Sequence, residues 1–100
     1  MVKTKSKPEP DWYDLADAIK SVAHPDRLAI LHLMCNSGSD QMKVKDIYEK
    51  LHLEQSITSR HLGIMKKSGL LKREIKVGKI FYYINKDNIT AQCITRLLTE

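Results

Sequence analysis

The stretch Gln55-Ser56-Ile57-Thr58-Ser59-Arg60-His61-Leu62-Gly63-Ile64-Met65-Lys66-Lys67-Ser68 holds most of what this chain discloses about itself. Placed at about 100° per residue, it forms a helix with two unlike sides. Ile57, Thr58, His61, Leu62, Ile64 and Met65 share one side. Gln55, Ser56, Ser59, Arg60, Gly63, Lys66 and Lys67 share the other, and no Asp or Glu falls within 55–68. An ordinary solvated helix face mixes both signs of charge. A face of small polar, amide and basic groups alone points instead to a polyanion. Ser and Gln can bond phosphates or base edges, Arg can grip guanine with two bonds, and Gly63 would let a phosphate backbone come close.

The flanking segments give this helix a context. Before it, Val44, Ile47, Tyr48 and Leu51 mark a two-turn amphipathic helix, and His52-Leu53-Glu54 a three-residue turn. Two short helices joined this way form a helix-turn-helix, whose second helix enters the DNA major groove. After Gly69 the apolar period becomes two. Residues 70–76 and 79–85 read as strands, with Val77-Gly78 as the turn between them. Lys72, Arg73, Lys76 and Lys79 crowd this hairpin. A basic hairpin in that position is a wing, lying along the phosphate backbone or the neighbouring minor groove. The plainer alternative is an edge hairpin whose lysines protect it from aggregation.

Working outward, residues 1–10 carry three lysines and two prolines without apolar periodicity, and read as a flexible basic tail. Residues 11–100 read as one domain. Trp12, Leu15, Ala16, Ile19 and Ala23 draw an apolar stripe along a first helix, with Asp11, Asp14 and Asp17 favouring its N-terminal end. A second helix starts at Pro25, and its apolar residues from Leu28 to Cys35 mark it as the buried centre. Residues 36–40 form a loop. A last helix over 87–100 carries Ile89, Cys93, Ile94, Leu97 and Leu98. The expected fold is mainly α with a small β-hairpin wing, in the order α-α-α-α-β-β-α. So small a core leaves no room for the outer stripes. Trp12, Leu15, Ile19, Ile89, Cys93 and Leu97 are therefore expected at a twofold interface with a second copy. Such a dimer sets two recognition helices about one DNA turn apart on a palindromic site.

Charge and composition narrow the alternatives. The 100 residues hold 17 Lys and Arg against 12 Asp and Glu, a formal charge of +5. Residues 41–80 hold ten basic and four acidic side chains; the stretches on either side are near neutral. No apolar run approaches the roughly 18–20 residues of a membrane span, and no apolar stretch follows the basic N-terminus to make a signal peptide. The expected setting is the cytoplasm, with no membrane partner. Cys35 and Cys93 make no disulfide framework, and each is expected to be a small buried hydrophobe. No nucleophile–base pair, paired carboxylates or Gly-rich phosphate loop converges, so no enzyme is expected. His24, His32 and His52 are scattered, without ligand spacing, and neither metal nor cofactor is expected.

Several stretches together make the chain similar to the ArsR/SmtB family of bacterial winged-helix repressors, over about residues 13–98. Leu15-Ala16 through Ala23-His24-Pro25-Asp26-Arg27-Leu28-Ala29-Ile30-Leu31 resembles the family's LADPTRLRIL opening. Asp46-Ile47 and Leu51-His52-Leu53-Glu54-Gln55-Ser56 resemble its first helix and turn. Ser59-Arg60-His61-Leu62 with Lys67-Ser68-Gly69-Leu70-Leu71 resembles SxHLxxLxxAGLV, and Gly78-Lys79 with Tyr82-Tyr83-Ile84 resembles the GRxxxYxL wing. The resemblance implies a dimeric, operator-binding transcriptional repressor that joins copies through its first and last helices. It implies DNA contacts from Gln55, Ser56, Ser59 and Arg60, flanked by the wing cations. His61 matches the signature histidine, on the packing side of its helix. Glu54 departs from the family's usual Ser, which removes an N-cap hydroxyl and sets a negative charge near phosphates. Where some members carry a metal-binding Cys-x-Cys, this chain has Lys43 and Lys45. No histidine follows His61 to build the other metal site, on the last helix. Two alternatives stand beside the repressor: a winged-helix module that binds protein, and a thiol-sensing repressor using Cys35 and Cys93.

Overall fold

The computed structural model describes residues 9–99. Five helices and three strands follow one another as α1 (Trp12–Val22), α2 (Pro25–Cys35), β1 (Met42–Lys43), α3 (Val44–Leu51), α4 (Gln55–Lys67), β2 (Leu71–Lys76), β3 (Lys79–Ile84) and α5 (Ile89–Thr99). The expected mainly helical, winged helix-turn-helix architecture is the one found. Of the expected tail, only residues 9 and 10 lie within the described residues, and both are exposed.

Local chemistry explains where most helices start. The Asp11 carboxylate caps α1, accepting from the backbone N–H groups of Tyr13 at 2.9 Å and Asp14 at 3.3 Å. Pro25 opens α2, where its missing N–H costs no hydrogen bond, and His24 caps it through Nδ1, which accepts from the Asp26 N–H at 3.0 Å. Helix α4 starts without such help: Glu54 at its N-cap makes no side-chain bond, as the missing hydroxyl leads one to expect. The turn before it closes at His52, whose φ of 55° is left-handed, and Leu53 N–H returns to the Tyr48 carbonyl at 3.0 Å.

The far end of α4 is held more firmly. Gly69 takes φ 89°, and a Cβ there would stand 3.2 Å from Asn88 Nδ2. Asn85 Nδ2 donates to the Gly69 carbonyl at 2.9 Å, and Asn88 Oδ1 caps α5 by accepting from the Ala91 N–H. One asparagine-lined junction therefore ends α4 and starts α5.

The core gathers Ile30, Leu31 and Met34 from α2, Ile47 from α3, and Leu62 and Met65 from α4. Leu70, Leu71 and Tyr82 join it from the base of the wing. Helix α2 lies at the centre, as its all-round apolar pattern requires. Helix α1 also has an inward face that its apolar stripe did not mark. It buries Ala18, Ser21 and Val22, whereas Trp12 and Ile19 stay exposed at 62% and 53%. Small residues allow α1 to lie close on the core, and the bulky stripe turns outward. Cys93, expected to be buried, is also exposed; Cys35 is half-buried, and both thiols are free. Ile57, grouped with the apolar side of α4, is 42% exposed because it sits in the first turn, at the rim of the packing.

The wing is a three-stranded antiparallel sheet in the order β1-β3-β2. The two-residue β1 pairs Met42 with Tyr82 and Lys43 with Phe81; too short to show a period, it escaped the sequence reading. In the hairpin, Lys76 lies opposite Lys79. The turn between them places Val77 at φ 50° and Gly78 at φ 73°, the pattern of a type I′ turn, which favours Asn-Gly. A β-branched residue is strained there, and Val77, 98% exposed, recovers nothing by packing. Among the described residues, no helix is long and apolar enough to cross a membrane.

Two substitutions test this reading. Val77→Asn should stabilise the fold by about 1 kcal/mol by relieving the left-handed strain. Thr58 is fully buried and its hydroxyl has no partner among the described residues. Thr58→Val should therefore also stabilise, by about 1 kcal/mol. Urea midpoints at or below that of the parent protein would contradict either expectation.

Candidate nucleic-acid interface

Helix α4 separates its residues as the spacing predicts. Thr58, His61, Leu62 and Met65 are buried. Gln55, Ser56, Ser59, Arg60, Lys66 and Lys67 are exposed, and Gly63 lies half-buried among them. No side-chain hydrogen bond or ion pair within the described residues engages Gln55, Ser56, Ser59, Arg60, Lys66 or Lys67. A Cβ built on Gly63 meets nothing within 4 Å. Nothing in the fold itself requires glycine at that position, although glycine weakens a helix by about 1 kcal/mol. The side-chain donors on this face are thus unspent, and the backbone at Gly63 is bare.

The wing cations do not form a single patch. Successive residues of a strand point to opposite faces, so Lys72, Glu74 and Lys76 share one face while Arg73 and Ile75 share the other. Lys72 and Glu74 line an open groove with Met34, Tyr83 and Arg96. Lys76 pairs with Glu74 at 3.5 Å, both half-exposed, an interaction of small value in water. Toward the tip, Lys76 and Lys79 face each other across the strands. Like charges so placed repel, and a passing phosphate would relieve that repulsion.

A second grouping was not visible in the sequence. His24, Asp26 and His61 come together with ligand-capable atoms within 4.8 Å of one another. The rings of His24 and His61 lie 4.7 Å apart. Arg27 donates from Nε to His61 Nδ1 at 3.0 Å and from Nη1 to the Ser21 carbonyl at 3.2 Å. With an N–H aimed at Nδ1, the His61 proton must sit on Nε2, which faces Asp26 Oδ2 at 3.5 Å. His24 Nδ1 likewise receives the Asp26 N–H. Neither ring then offers a free lone pair, and the Arg27 guanidinium adds a positive charge, so this chemistry suits protons better than a metal ion. His61 titrates below the ordinary imidazole range. Burial is the main cause, and the His24 and Arg27 charges add to it against the opposing pull of Asp26. The proximity links the α1–α2 connection to α4 across 37 residues, a distance no local spacing rule reaches.

The apolar residues expected at a twofold interface lie on the outer helices. Trp12, Ile19, Ile89 and Leu97 are strongly exposed, Leu15 is half-buried, and Cys93 is exposed.

Comparison with known proteins places this geometry. Residues 24–73 match the sequence profile of the arsR family of bacterial regulatory proteins. An HTH-type transcriptional regulator of Methanocaldococcus jannaschii is 38% identical over 74 residues, covering 74% of this chain and 81% of the relative. The crystal structure of the transcriptional repressor PagR of Bacillus anthracis superposes with a TM-score of 0.75 at 34% identity, covering 88% of this chain and 95% of that one. A homodimeric winged helix-turn-helix DNA-binding domain from Mycobacterium bovis shares the fold, with a TM-score of 0.70 at 22% identity over 90% of this chain and 81% of that one.

Gly63 separates an external role from an internal one. Gly63→Ala should stabilise the protein by about 1 kcal/mol through helix propensity, and it should lower affinity for duplex DNA if a phosphate backbone approaches there. Thermal unfolding and fluorescence anisotropy read the two effects separately. Unchanged DNA affinity would remove Gly63 from the interface.

Proposed function

The chain belongs to the arsR family of regulatory proteins and is a DNA-binding transcriptional regulator, and from that premise we propose that it acts as a homodimeric repressor on a palindromic operator. One observation carries the reading. The acid-free polar face of α4 is exposed and internally unbonded, while the opposite face is buried. In the proposed arrangement α4 lies in the major groove. Gln55, Ser56, Ser59 and Arg60 meet base edges and the nearest phosphates, and Lys66 and Lys67 meet the backbone. Lys72, Arg73, Lys76 and Lys79 extend the contact along the backbone toward the minor groove, with Lys76 and Lys79 leading at the tip.

The second copy would cover the outer stripes, through Trp12, Leu15, Ile19, Ile89, Cys93 and Leu97. Their exposure supports this, since solvent otherwise wets a row of large apolar side chains. The homodimeric M. bovis domain offers a precedent for the assembly, and PagR for repression. Residues 11–100 would then serve as one DNA-binding and dimerisation unit in the cytoplasm, preceded by the basic tail 1–10. Lys43 and Lys45, at the positions of the family's Cys-x-Cys, argue against metal sensing there, because a protonated amine cannot ligate a soft metal.

The proposal fixes a pattern of affinities. Binding to duplex DNA should fall steeply with salt, because released counterions drive it. Arg60→Ala should cost about 1–3 kcal/mol on the preferred site and relax base choice. Lys76→Ala or Lys79→Ala should weaken all sequences alike and reduce the salt slope by about one per site. Anisotropy titrations across salt concentrations would show this. Salt-insensitive binding would sink the reading, as would Arg60→Ala and Lys79→Ala variants that behave identically.

A further inference from the structure

The Arg27 side chain reaches three elements at once. It springs from α2, donates Nη1 to the Ser21 carbonyl of α1, and donates Nε to His61 Nδ1 of α4. A second tie runs beside it, where Ser68 Oγ, just past α4, donates to Ser21 Oγ at 2.8 Å. The recognition helix is thus fastened to the helix that carries one of the exposed apolar stripes. The fastening depends on a neutral ring, because Nδ1 accepts only while unprotonated. A proton on Nδ1 would set two donors against each other at 3.0 Å.

The structure assigns to Arg27 and His61 the positioning of α4 against α1 and α2, and we propose that protonation of His61 releases this latch and weakens DNA binding. The inference rests on the reading of α4 as the DNA-contacting helix. The titratable and charged groups facing His61 among the described residues are His24, from the α1–α2 connection, and Asp26 and Arg27, from α2. The His24 and Arg27 charges oppose a proton on His61, and only Asp26 favours one. Its carboxylate lies at 3.5 Å from Nε2 and is partly open to water, which screens its attraction. Acid therefore strains the cluster rather than tightening it. Burial already holds the His61 proton affinity down, so the latch stays closed at neutral pH. The sign follows from linkage. The released state binds the proton more readily than the latched one, so the latched state loses ground as pH falls below about 6.5.

This behaviour runs against the ordinary trend. Acid makes the protein more cationic, which by itself strengthens binding to a polyanion. The test measures anisotropy with a labelled duplex enriched from random sequence at neutral pH, at fixed ionic strength, between about pH 8 and about pH 5. The full chain should lose affinity several-fold on acidification. In His61→Asn, the amide oxygen can take the place of Nδ1 as acceptor for Arg27 without titrating. That variant should bind normally at neutral pH and no longer lose affinity in acid. Affinity of the parent protein that is flat or rises in acid would overturn the proposal, and so would an equal loss in His61→Asn. Absence of DNA binding at every pH would overturn the regulator reading instead. The latch is then judged on the parent protein by nitrogen NMR of the imidazoles. His61 should carry its neutral-pH proton on Nε2, and its titration should shift the amide signals of Ser21, Arg27 and Ser68. A proton on Nδ1 at neutral pH, or titration that leaves those amides unmoved, would overturn it.

Discussion

Helix α4 must be anchored on one side and bare on the other, and the rest of the molecule follows from that constraint. Leu62 and Met65 are fully buried against α2, α3 and the base of the wing. Truncating a residue so placed to Ala costs about 2–5 kcal/mol, a large share of the stability of a small domain. That anchorage lets the opposite face hold Ser, Gln, Gly, Arg and Lys with no stabilising duty of their own. The junction of Gly69, Asn85 and Asn88 stops the helix and launches both the wing and α5 from one point. Helix α4 and the wing therefore share one rigid base.

The same economy accounts for the outer helices. A chain of 100 residues has a limited interior, and α2 occupies the middle of it. Helix α1 contributes small residues inward, Ala18 and Ser21, and turns Trp12 and Ile19 outward. Helix α5 buries Thr90 and Ala91 and leaves Ile89 and Leu97 bare. In the proposed dimer these stripes become interior, and the spacing of the two recognition helices is set by the packing of α1 and α5. The Arg27–His61 connection gives that packing a direct line to α4.

Much of the fold was legible because its signals are local. Periodicity of 3.6 located the helices, a change to two located the hairpin, and Pro25, Gly69 and Gly78 marked the breaks. The polar face of α4 was legible for the same reason: sidedness follows from spacing alone. Other features depend on contacts between distant residues. Strand β1 exists only because Tyr82 and Phe81 lie beside it. The inward face of α1 was not legible because its buried residues, Ala18, Ser21 and Val22, are small or polar and draw no strong apolar stripe. Cys93 looked buried in pattern yet lies outside, since the α5 stripe exceeds what one core can cover. The meeting of His24 with His61 comes from the crossing of α2 and α4, which no spacing rule encodes. In the wing, composition showed four cations but not that Arg73 points away from Lys72 and Lys76.

Random-site selection of bound duplexes, followed by sequencing, asks most directly whether the exposed face of α4 reads DNA as part of a dimer. The expected outcome is one enriched motif with two inverted half-sites centred about one helical turn, or 10–10.5 base pairs, apart. Enrichment of no motif, or of a single half-site without its inverted mate, would contradict it.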